Sequence, residues 1–202
     1  MAREKSGLLS ALGVVFEIVK AIIDEVLNLG GNDEDVRRIL KDENLRKAIA
    51  QMIIAAKSFV AATFKVTVDY GQSLADMIKA GKYDWVNDNI TKENFPVNGQ
   101  DKQEVEVLLF HFNRVISSDD AIAEMNKAGY RPARIEELLA LGACQPELQK
   151  QFPIVALGSA WRRPSGYRIV PCLVSDGSGR RLDLDDFEGG WDGSDRFLVL
   201  RK

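Results

Sequence analysis

The segment GYRIVPCLVSDGSGRRLDLDDFEGGWDGSDRFLVLRK, residues 166–202, decides the fold class of this chain. It contains three short apolar or β-branched runs, GYRIVPCLV, RRLDLDDF and DRFLVLRK, which are separated by Gly, Asp and Ser. This pattern is typical of strands joined by turns. The turn DGSGRR has two glycines but no helix after it, so we interpret it as a hairpin turn and not as a phosphate-binding loop.

Other strands are predicted earlier in the chain. FKVTVDY, residues 64–70, alternates apolar and polar side chains, whereas EVEVLLFHFNRV, residues 104–115, is long and apolar enough to be a central strand. FPIVALGSAW, residues 152–161, reads as a further buried strand. Because the strands are largely segregated from the helices along the chain, the sequence predicts an α+β fold with a largely antiparallel sheet.

The first 60 residues are predicted to be helical. A broad apolar stripe runs along a helix from about Ser6 to Leu29, which two glycines end. Asn32 or Asp33 caps a second helix, and a third spans about residues 42–57. The sequence therefore predicts two domains, a helical hairpin or small bundle at 1–60 and an α+β domain at 61–202.

The apolar stripe of the first helix has two interpretations. It packs on its own neighbours, or it docks a second copy of the chain or a protein partner, so residues 6–57 are the candidate surface for a homo-oligomer or a partner. Glu17, Asp24 and Glu25 make the opposite face acidic, which disfavours binding to an anionic membrane surface.

Composition narrows the class of protein. The chain has 202 residues, a formal net charge of -3 and 28% charged residues, so it lacks the overall basic charge typical of nucleic-acid binders. Glu17 and Lys20 interrupt the apolar N-terminal run, so we expect neither a signal peptide nor a membrane span. Two cysteines outside any C-x-x-C pair favour a reducing compartment, and we expect a cytoplasmic location.

Three shorter helices are predicted in the α+β domain. Ser73 begins the first, which Gly81 caps, and Ser118 is the expected N-cap of the second, which Gly129 ends. The third follows the turn GYRP and spans about residues 134–141. Residues 87–103 are polar and are predicted to form a long surface loop.

The residues most often used in catalysis form no coherent set. His111 is the only histidine and lies on a predicted core strand, so a structural role is favoured and a histidine-based metal site is excluded. Cys144 and Cys172 are interpreted as small apolar fillers. Dinucleotide, phosphate-loop and Gly-x-Ser-x-Gly signatures are absent, so we predict no cofactor and no catalytic residues.

An acidic segment carries the alternatives that involve chemistry. Its carboxylates are Asp183, Asp185, Asp186, Glu188, Asp192 and Asp195. Carboxylates between glycines can surround Ca²⁺, although their spacing differs from that of a helix-loop-helix calcium site. They could also act as a pair in a hydrolase-type enzyme, or simply keep the turns soluble. The sequence leaves the metal question open.

Arginine, tryptophan and aspartate side chains gather in the same part of the chain, a composition that is typical of recognition surfaces. The candidate ligand-binding residues are Trp161, Arg163, Arg168, Arg181, Asp185, Trp191 and Asp192. Outward-facing residues of an antiparallel sheet would have the same composition, and this second interpretation is equally favoured.

The segment AIAEMNKAGYRPARIEELLALG, residues 121–142, resembles a part of the C-type lectin-like fold in which a Gly-Tyr-Arg turn joins two helices. Gly129, Tyr130, Arg131, Pro132 and Glu136 match the turn of the formylglycine-generating-enzyme branch in type and order. The resemblance covers about residues 104–202 and implies a C-type lectin-like body.

The departures from that family limit what the resemblance implies. The chain lacks the Glu-Pro-Asn motif and the disulfides of true lectins, and it has no counterpart of the reactive cysteine pair of the formylglycine enzymes. Neither calcium-dependent sugar binding nor oxidase activity is therefore implied. As a whole, the chain is similar to bacterial proteins with a small helical head and an α+β body.

These observations predict a non-catalytic bacterial binding or interaction protein. The helical head would associate with another copy or a partner, and the α+β body would recognise a ligand. The alternative is an enzyme that uses the carboxylates of residues 183–195. Nucleic-acid binding through the arginines of residues 162–181 is the least favoured hypothesis, because aspartates are interspersed among them.

Overall fold

The computed structural model of this chain describes residues 19–49, 62–177 and 179–202. The chain divides into two compact units, Met1–Ala55 and Ala56–Lys202. The domain boundary that we predicted near residue 60 falls outside the described residues and stays a prediction.

The described part of the first unit is helical. It comprises α1, which covers residues 19–28, α2 (Asp33–Lys41) and α3, which covers residues 43–49. Asn32 is the N-cap of α2, as predicted: its side-chain oxygen accepts hydrogen bonds from the backbone N–H groups of Glu34 and Asp35. Asp35 accepts in return from the Asn32 N–H at 3.0 Å, which completes a capping box. The predicted ends of the hairpin, residues 6–18 and 50–57, lie outside the described residues.

The second unit combines a mixed sheet with helices, so the predicted α+β class is confirmed. Its helices are α4 (Leu74–Gly81), α5 (Ser118–Lys127) and α6 (Ile135–Cys144). A short 3₁₀ turn follows at Leu148–Lys150. The strands are β1 (Ala62–Asp69), β2 (Trp85–Val86), β3 (Lys102–Phe110), β4 (Tyr130–Pro132), β5 (Ile154–Val155), β6 (Trp161–Arg162), β7 (Arg168–Asp176), β8 (Gly179–Asp186) and β9 (Arg196–Arg201).

The described residues of this unit form one nine-stranded sheet in the order β1-β3-β9-β5-β7-β8-β2, with β4 beside β9 and β6 beside β7. The pairings of β2 with β8 and of β5 with β9 are parallel, and the others are antiparallel. β7 and β8 form the predicted hairpin, in which Asp176 pairs with Gly179. The sheet is therefore mostly antiparallel, with parallel contacts where β2 and β5 join it.

Alternation along the central strands separates two hydrophobic cores, one on each face of the sheet. Val107 and Leu109 of β3 point to the first core, and Leu108 and Phe110 point to the second. Helices α4 and α6 cover the first core, whereas α5 and the segment that contains Trp191 cover the second. Both faces of the sheet are thus buried, which explains why β3 reads as a continuous apolar run.

Two predicted helix caps are wrong by one residue. Ser117, and not Ser118, caps α5, because its hydroxyl accepts from the Asp120 N–H at 3.1 Å. Ser118 is buried instead, donates to the Phe187 carbonyl at 2.6 Å and accepts from Trp191 Nε1 at 2.8 Å. At the end of α4, Gly81 is still helical and Lys82 takes the left-handed conformation with φ 49°. Ser73 begins α4 as predicted.

Two predicted strands are also shorter than expected. β3 ends at Phe110, so His111 and Phe112 lie beyond it. The predicted strand at 152–161 is interrupted because the chain turns after Val155 and pairs again only at Trp161. Gly158 lies in this turn, and its N–H donates to the Ala133 carbonyl at 2.8 Å. A Cβ at Gly158 would approach that carbonyl oxygen to 2.5 Å, so the close approach requires glycine.

Arg180, on β8, holds the ends of two helices. Its guanidinium is buried and donates to the Gly81 carbonyl at 2.8 Å and to the Gly142 carbonyl at 2.7 Å. It also donates to Gln149 Oε1 at 3.2 Å, and it lies 5.1 Å from the centre of the Tyr83 ring. Within the described residues no carboxylate pairs with this guanidinium. The partial negative charges at the C-terminal ends of α4 and α6 therefore offset its charge.

The helices of residues 19–49, 62–177 and 179–202 include none with the length and apolar character that a membrane crossing requires.

Candidate ligand-binding site

The candidate site begins at the turn that joins α5 to α6. Gly129 has φ +84°, a conformation that favours glycine, and the chain then pairs briefly with β9 as strand β4. Arg134 follows as the N-cap residue of α6. This path places Arg131 and Arg134 beside the first turn of α6, which contains two consecutive glutamates.

Glu137 is the centre of a buried polar network. Its carboxylate is fully buried and accepts hydrogen bonds from the Tyr70 hydroxyl at 2.8 Å, from Arg131 Nη2 at 2.8 Å and from the Arg134 backbone N–H at 2.5 Å. Burial alone would raise the pKa of Glu137, but the hydrogen bonds from Arg131 and Arg134 and the charge of Arg131 lower it. Glu137 is therefore ionised at neutral pH and fixes the positions of three neighbours.

Tyr70 and Arg134 share this network. Burial, together with the hydrogen bond to Glu137, raises the pKa of Tyr70, so its hydroxyl stays protonated and acts as a donor. The Arg134 guanidinium lies 5.4 Å from the centre of the Tyr70 ring. Its side chain is about half exposed, so the positive charge remains accessible to solvent.

Glu136 has a different environment from its neighbour. The residue is only 3% exposed, and its closest ionic partner is Arg134 Nη2 at 3.7 Å. Within the described residues, no other residue donates a hydrogen bond to its carboxylate. Burial raises the pKa of Glu136, and the charge of Arg134 only partly opposes this shift. Two adjacent glutamates thus have pKa values shifted in opposite directions.

Glu136 lines a cleft between α4, α6 and β1 with a volume of about 500 Å³, which we call the α4–α6 cleft. Its walls are mostly small or apolar, and its rim is polar. The lining residues are Thr67, Val68, Asp69, Gln72, Met77, Ala80, Lys102, Glu136, Leu139, Ala140, Ala143 and Cys144. The volume lies within the range of small-molecule sites.

A second cavity, of about 290 Å³, lies on the other side of Arg134 and is lined by polar residues. Arg131 and Arg134 supply positive charge, Asp101 supplies one carboxylate, and Tyr70, Gln100 and Gln103 supply hydrogen-bonding groups. We call it the arginine pocket. Because Arg134 lines this pocket and contacts Glu136 of the α4–α6 cleft, the two cavities meet at this ion pair.

The structure places three of the predicted ligand-binding residues around β6. Trp161 is partly buried and packs against the first core, where it pairs with Ile169 across the strands. Arg163 and Asp185 line a cavity of about 350 Å³, together with Tyr167 and other residues of β7 and β8. Arg163 and Asp185 therefore line the same cavity, and their role in ligand binding stays a prediction.

The other predicted arginines have separate partners. Arg168 donates to Glu188 at 2.7 Å and lies 3.8 Å from the centre of the Phe187 ring. Arg181 bonds Asp176 at 2.8 Å and stacks over Trp85 at 4.1 Å from the ring centre. These arginines stabilise their local strands, and they do not line the cavity that contains Arg163.

The last two predicted residues lie between β8 and β9. Trp191 is buried in the second core, where it makes an edge-on contact with Phe197. Asp192 is exposed and accepts from the Ser194 N–H and hydroxyl at 2.6 Å. Trp191 thus contributes to packing, and Asp192 shapes a turn.

The acidic segment is used mainly in local structure. Asp183 accepts from Asn87 Nδ2 at 2.8 Å and contacts Arg181 at 3.4 Å, and Asp195 accepts from the Asp192 N–H at 2.9 Å. Burial, followed by the charges of Asp192 and Asp185, raises the pKa of Asp195. Among the described residues, no group of three or more His, Cys, Asp or Glu side chains could hold a metal ion. The enzymatic alternative stays a prediction.

The histidine and the cysteines have the following positions. His111 is partly buried, and its Nε2 lies 2.7 Å from the Gly193 carbonyl oxygen. Cys172 is buried in the second core, and burial raises the pKa of its thiol well above its ordinary value. Cys144 is exposed at the end of α6 and lines the α4–α6 cleft. A structural role thus fits His111 and Cys172.

Sequence reasoning did not select Glu136 or Glu137 as ligand-binding residues, although Glu136 was among the residues that match the lectin-like turn. Both lie in IEELLALG, between apolar residues that are buried, and a helix with buried residues on both sides of a charged pair must bury at least part of that pair. Arg134 precedes Glu137 by one helical turn, so a buried ion pair was detectable in principle. Tyr70 was not, because its contact with Glu137 depends on the tertiary fold.

Comparisons with known proteins identify no relative: no family model, no curated protein and no solved structure matches the chain. The C-type lectin-like resemblance accordingly stays a prediction.

Proposed function

We propose that this chain is a non-catalytic binding protein whose α+β unit takes a small ligand in the α4–α6 cleft. One observation carries the proposal. Glu136 is almost entirely buried in the wall of the cleft, yet among the described residues its carboxylate has only a hydrogen bond from its own backbone N–H and a long ion pair with Arg134, at 3.7 Å. A buried charged group with so few partners is costly, and a bound ligand can supply the missing partner.

The surroundings of Glu136 support this proposal because they are rigid. Glu137, the next residue, is held by Tyr70, Arg131 and the Arg134 N–H, so the first turn of α6 has little freedom to move. Arg134 is placed by the same network. A site whose charged groups are fixed before binding loses less conformational entropy when the ligand arrives.

A pair of variants tests whether the cleft binds ligands. Ala80 lines the cleft and is exposed, so Ala80→Phe should narrow it without disturbing the core. Ala75, also exposed on α4 but outside the cleft lining, provides the matched control Ala75→Phe. In a thermal-shift screen of small molecules, hits should stabilise wild type and Ala75→Phe but not Ala80→Phe. Hits that stabilise all three proteins equally would place binding elsewhere.

A second function, self-association of the helical unit, is proposed on a separate observation. None of the described side chains in residues 19–49 is buried, and Val19, Ile22, Leu27 and Leu29 of α1 and its end are exposed. Helices that bury no apolar residue gain little stability of their own. A partner that covers this face would provide the missing apolar contacts.

We propose that this partner is a second copy of the chain. α2 is acidic in its first turn, at Asp33, Glu34 and Asp35, and basic in its last turn, at Arg38 and Lys41. Two copies that pair antiparallel would place each acidic end beside a basic end, which is a self-complementary arrangement.

Size-exclusion chromatography with light scattering on the full-length protein tests self-association by measuring its mass in solution. Leu27→Glu should convert an oligomer into a monomer, because it places a charge on the apolar face. The neighbouring variant Asn28→Glu adds the same charge at an exposed polar position and should leave the mass unchanged. A wild-type protein that is monomeric at high concentration would contradict the proposal.

A further inference from the structure

We infer that the α4–α6 cleft binds an organic cation, namely a primary ammonium group on a short aliphatic chain, which pairs with Glu136. This inference rests on the proposed function and specifies its ligand class. It follows from three properties of the cleft: the unfilled acceptor capacity of Glu136, the charges around it and the apolar walls beside it.

The Glu136 carboxylate can accept more hydrogen bonds than it receives. An ionised carboxylate can accept about four hydrogen bonds. Its own backbone N–H donates one, Arg134 Nη2, at 3.7 Å, is too far away for a hydrogen bond, and no other residue in the described part of the chain donates to this carboxylate. The group that completes the site must therefore be a hydrogen-bond donor, and an ammonium group offers three donors and a full positive charge.

The charged residues that line the cleft favour a cationic ligand over an anionic one. Two acidic residues, Glu136 and Asp69, line the cleft, and Lys102 is its single basic lining residue. Lys102 lies opposite Asp69 in the register of β1 and β3, so the two residues share a face of the sheet. An anionic ligand would be repelled by Glu136, whose nearest cationic group, Arg134 Nη2, is 3.7 Å away. The arginine pocket, which two arginines and one aspartate line, suits an anion better than the cleft does.

The walls of the cleft beside Glu136 are apolar and suit an alkyl chain. Met77, Leu139 and Ala140 line the cleft beside Glu136 and offer methyl and methylene surface. An alkyl chain that leads to the ammonium group would bury apolar area there, at about 25 cal/mol per Å². A neutral alcohol of the same length could fill this space but would bring no positive charge to the carboxylate.

The test uses three probes of matched length on the full-length protein: n-butylammonium, butyrate and 1-butanol. Their binding is followed by amide shift changes of cleft residues in titrations that reach tens of millimolar. We expect n-butylammonium to bind best and Glu136→Gln to weaken it about tenfold or more. The matched control Glu104→Gln, at an exposed β3 position, should bind like wild type.

The outcomes separate the inference from the proposed function. Butyrate or 1-butanol binding in the cleft at least as tightly as n-butylammonium would overturn the cation inference while keeping the cleft as a binding site. No shift of any cleft residue with any probe would overturn both. Because Glu136→Gln could disturb folding, Ala80→Phe provides a second test: it should abolish n-butylammonium shifts with Glu136 intact. Persistent shifts would place the ammonium site elsewhere.

A fourth probe distinguishes two sources of the ammonium group. Nα-acetyl-lysine N-methylamide carries the same alkylammonium chain on a peptide backbone. Tighter binding of this probe than of n-butylammonium would support a basic peptide as the source, and weaker binding would support a free amine. Either result supports the ammonium inference if Glu136→Gln weakens the binding of the probe. If Glu136→Gln changes the binding of neither probe, the ammonium inference is overturned.

Discussion

Gly142 and Tyr83 provide a quantitative test of the packing between α6 and the segment that joins α4 to β2. Gly142 lies inside α6, and a Cβ built on it would overlap the hydroxyl of Tyr83. That hydroxyl is buried and has no hydrogen-bond partner among the described residues. Burial strongly raises the pKa of Tyr83, so the hydroxyl stays protonated. The overlap therefore involves a neutral group whose removal should cost little.

We expect Gly142→Ala to destabilise the protein. Inserting a methyl group into a well-packed site costs about 2 kcal/mol, whereas replacing a glycine inside a helix by alanine gains about 1 kcal/mol. The net loss should be about 1 kcal/mol in the free energy of unfolding. Tyr83→Phe alone should be neutral or stabilise by up to about 1 kcal/mol, because it removes a buried hydroxyl without a partner.

The double variant should reverse the sign of the Gly142→Ala effect. With the hydroxyl absent, the nearest atoms to the new Cβ are Leu173 Cδ1 at 3.0 Å and the ring Cζ at 3.2 Å, which small movements can relieve. The helix-propensity gain then dominates, and Gly142→Ala becomes neutral or stabilising. The coupling energy between the two substitutions should be about 1.5 kcal/mol.

Urea unfolding followed by circular dichroism measures all four proteins of this cycle. Tyr167→Phe, at an exposed tyrosine, is the matched control and should change the free energy of unfolding by less than about 0.5 kcal/mol. A coupling energy below about 0.5 kcal/mol would refute the reasoning, because Gly142→Ala would then destabilise for a reason unrelated to the Tyr83 hydroxyl.

Three further predictions use the same unfolding measurement. Ser117→Ala should lower the free energy of unfolding by about 1 kcal/mol because it removes the α5 cap. Ser118→Ala should lower it by about 2 kcal/mol because it leaves Trp191 Nε1 unpaired in the core. A larger loss for Ser117→Ala than for Ser118→Ala would contradict the cap assignment. Arg180→Met should cost about 3 kcal/mol by releasing two helix-end carbonyls, and a cost below about 1 kcal/mol would be inconsistent with that role. Glu137→Gln should cost about 3 kcal/mol at neutral pH. Because the folded-state pKa of Glu137 lies below its ordinary value of 4.5, this difference should shrink as the pH falls below that value through the folded-state pKa; a difference that does not change with pH would exclude the ionised carboxylate as its source.

The sequence predicted those parts of the fold that depend on local pattern. Alternation identified β1, short apolar runs between turn residues identified β7, β8 and β9, and the turn around Gly177 identified the hairpin. The α5 cap was misplaced because Ser117 and Ser118 are both good N-cap residues. Only the tertiary contact of Ser118 with Trp191 shows which of the two is buried and which remains free to cap.

Short strands were the least predictable elements. β2 and β4 have two and three residues and no pattern of their own; they exist because they pair with β8 and β9. The predicted strand at 152–161 was too long because Ala156 and Leu157 are buried and apolar although they lie in the turn after β5. Apolar character indicates burial in such a segment but does not specify pairing.

The candidate site was harder to predict than the fold. Composition directed attention to the Arg, Trp and Asp residues of 161–192, of which Arg163, Asp185 and Asp186 line one cavity. Glu136 has no distinctive composition around it, and its role follows from a property that the sequence does not show, namely how many donors reach its carboxylate. Counting such donors requires the positions of β1 and α4, which are distant in sequence.

The position of β9 has a consequence for how the protein folds. This strand lies between β3 and β5; Leu198 and Leu200 belong to the first core, and Phe197 and Val199 belong to the second. Neither core can close before β9 docks, so both should form in one kinetic step. That step joins Leu200 to Val107 across a long intervening chain, and such contacts place folding in the millisecond-to-second range and not among microsecond folders.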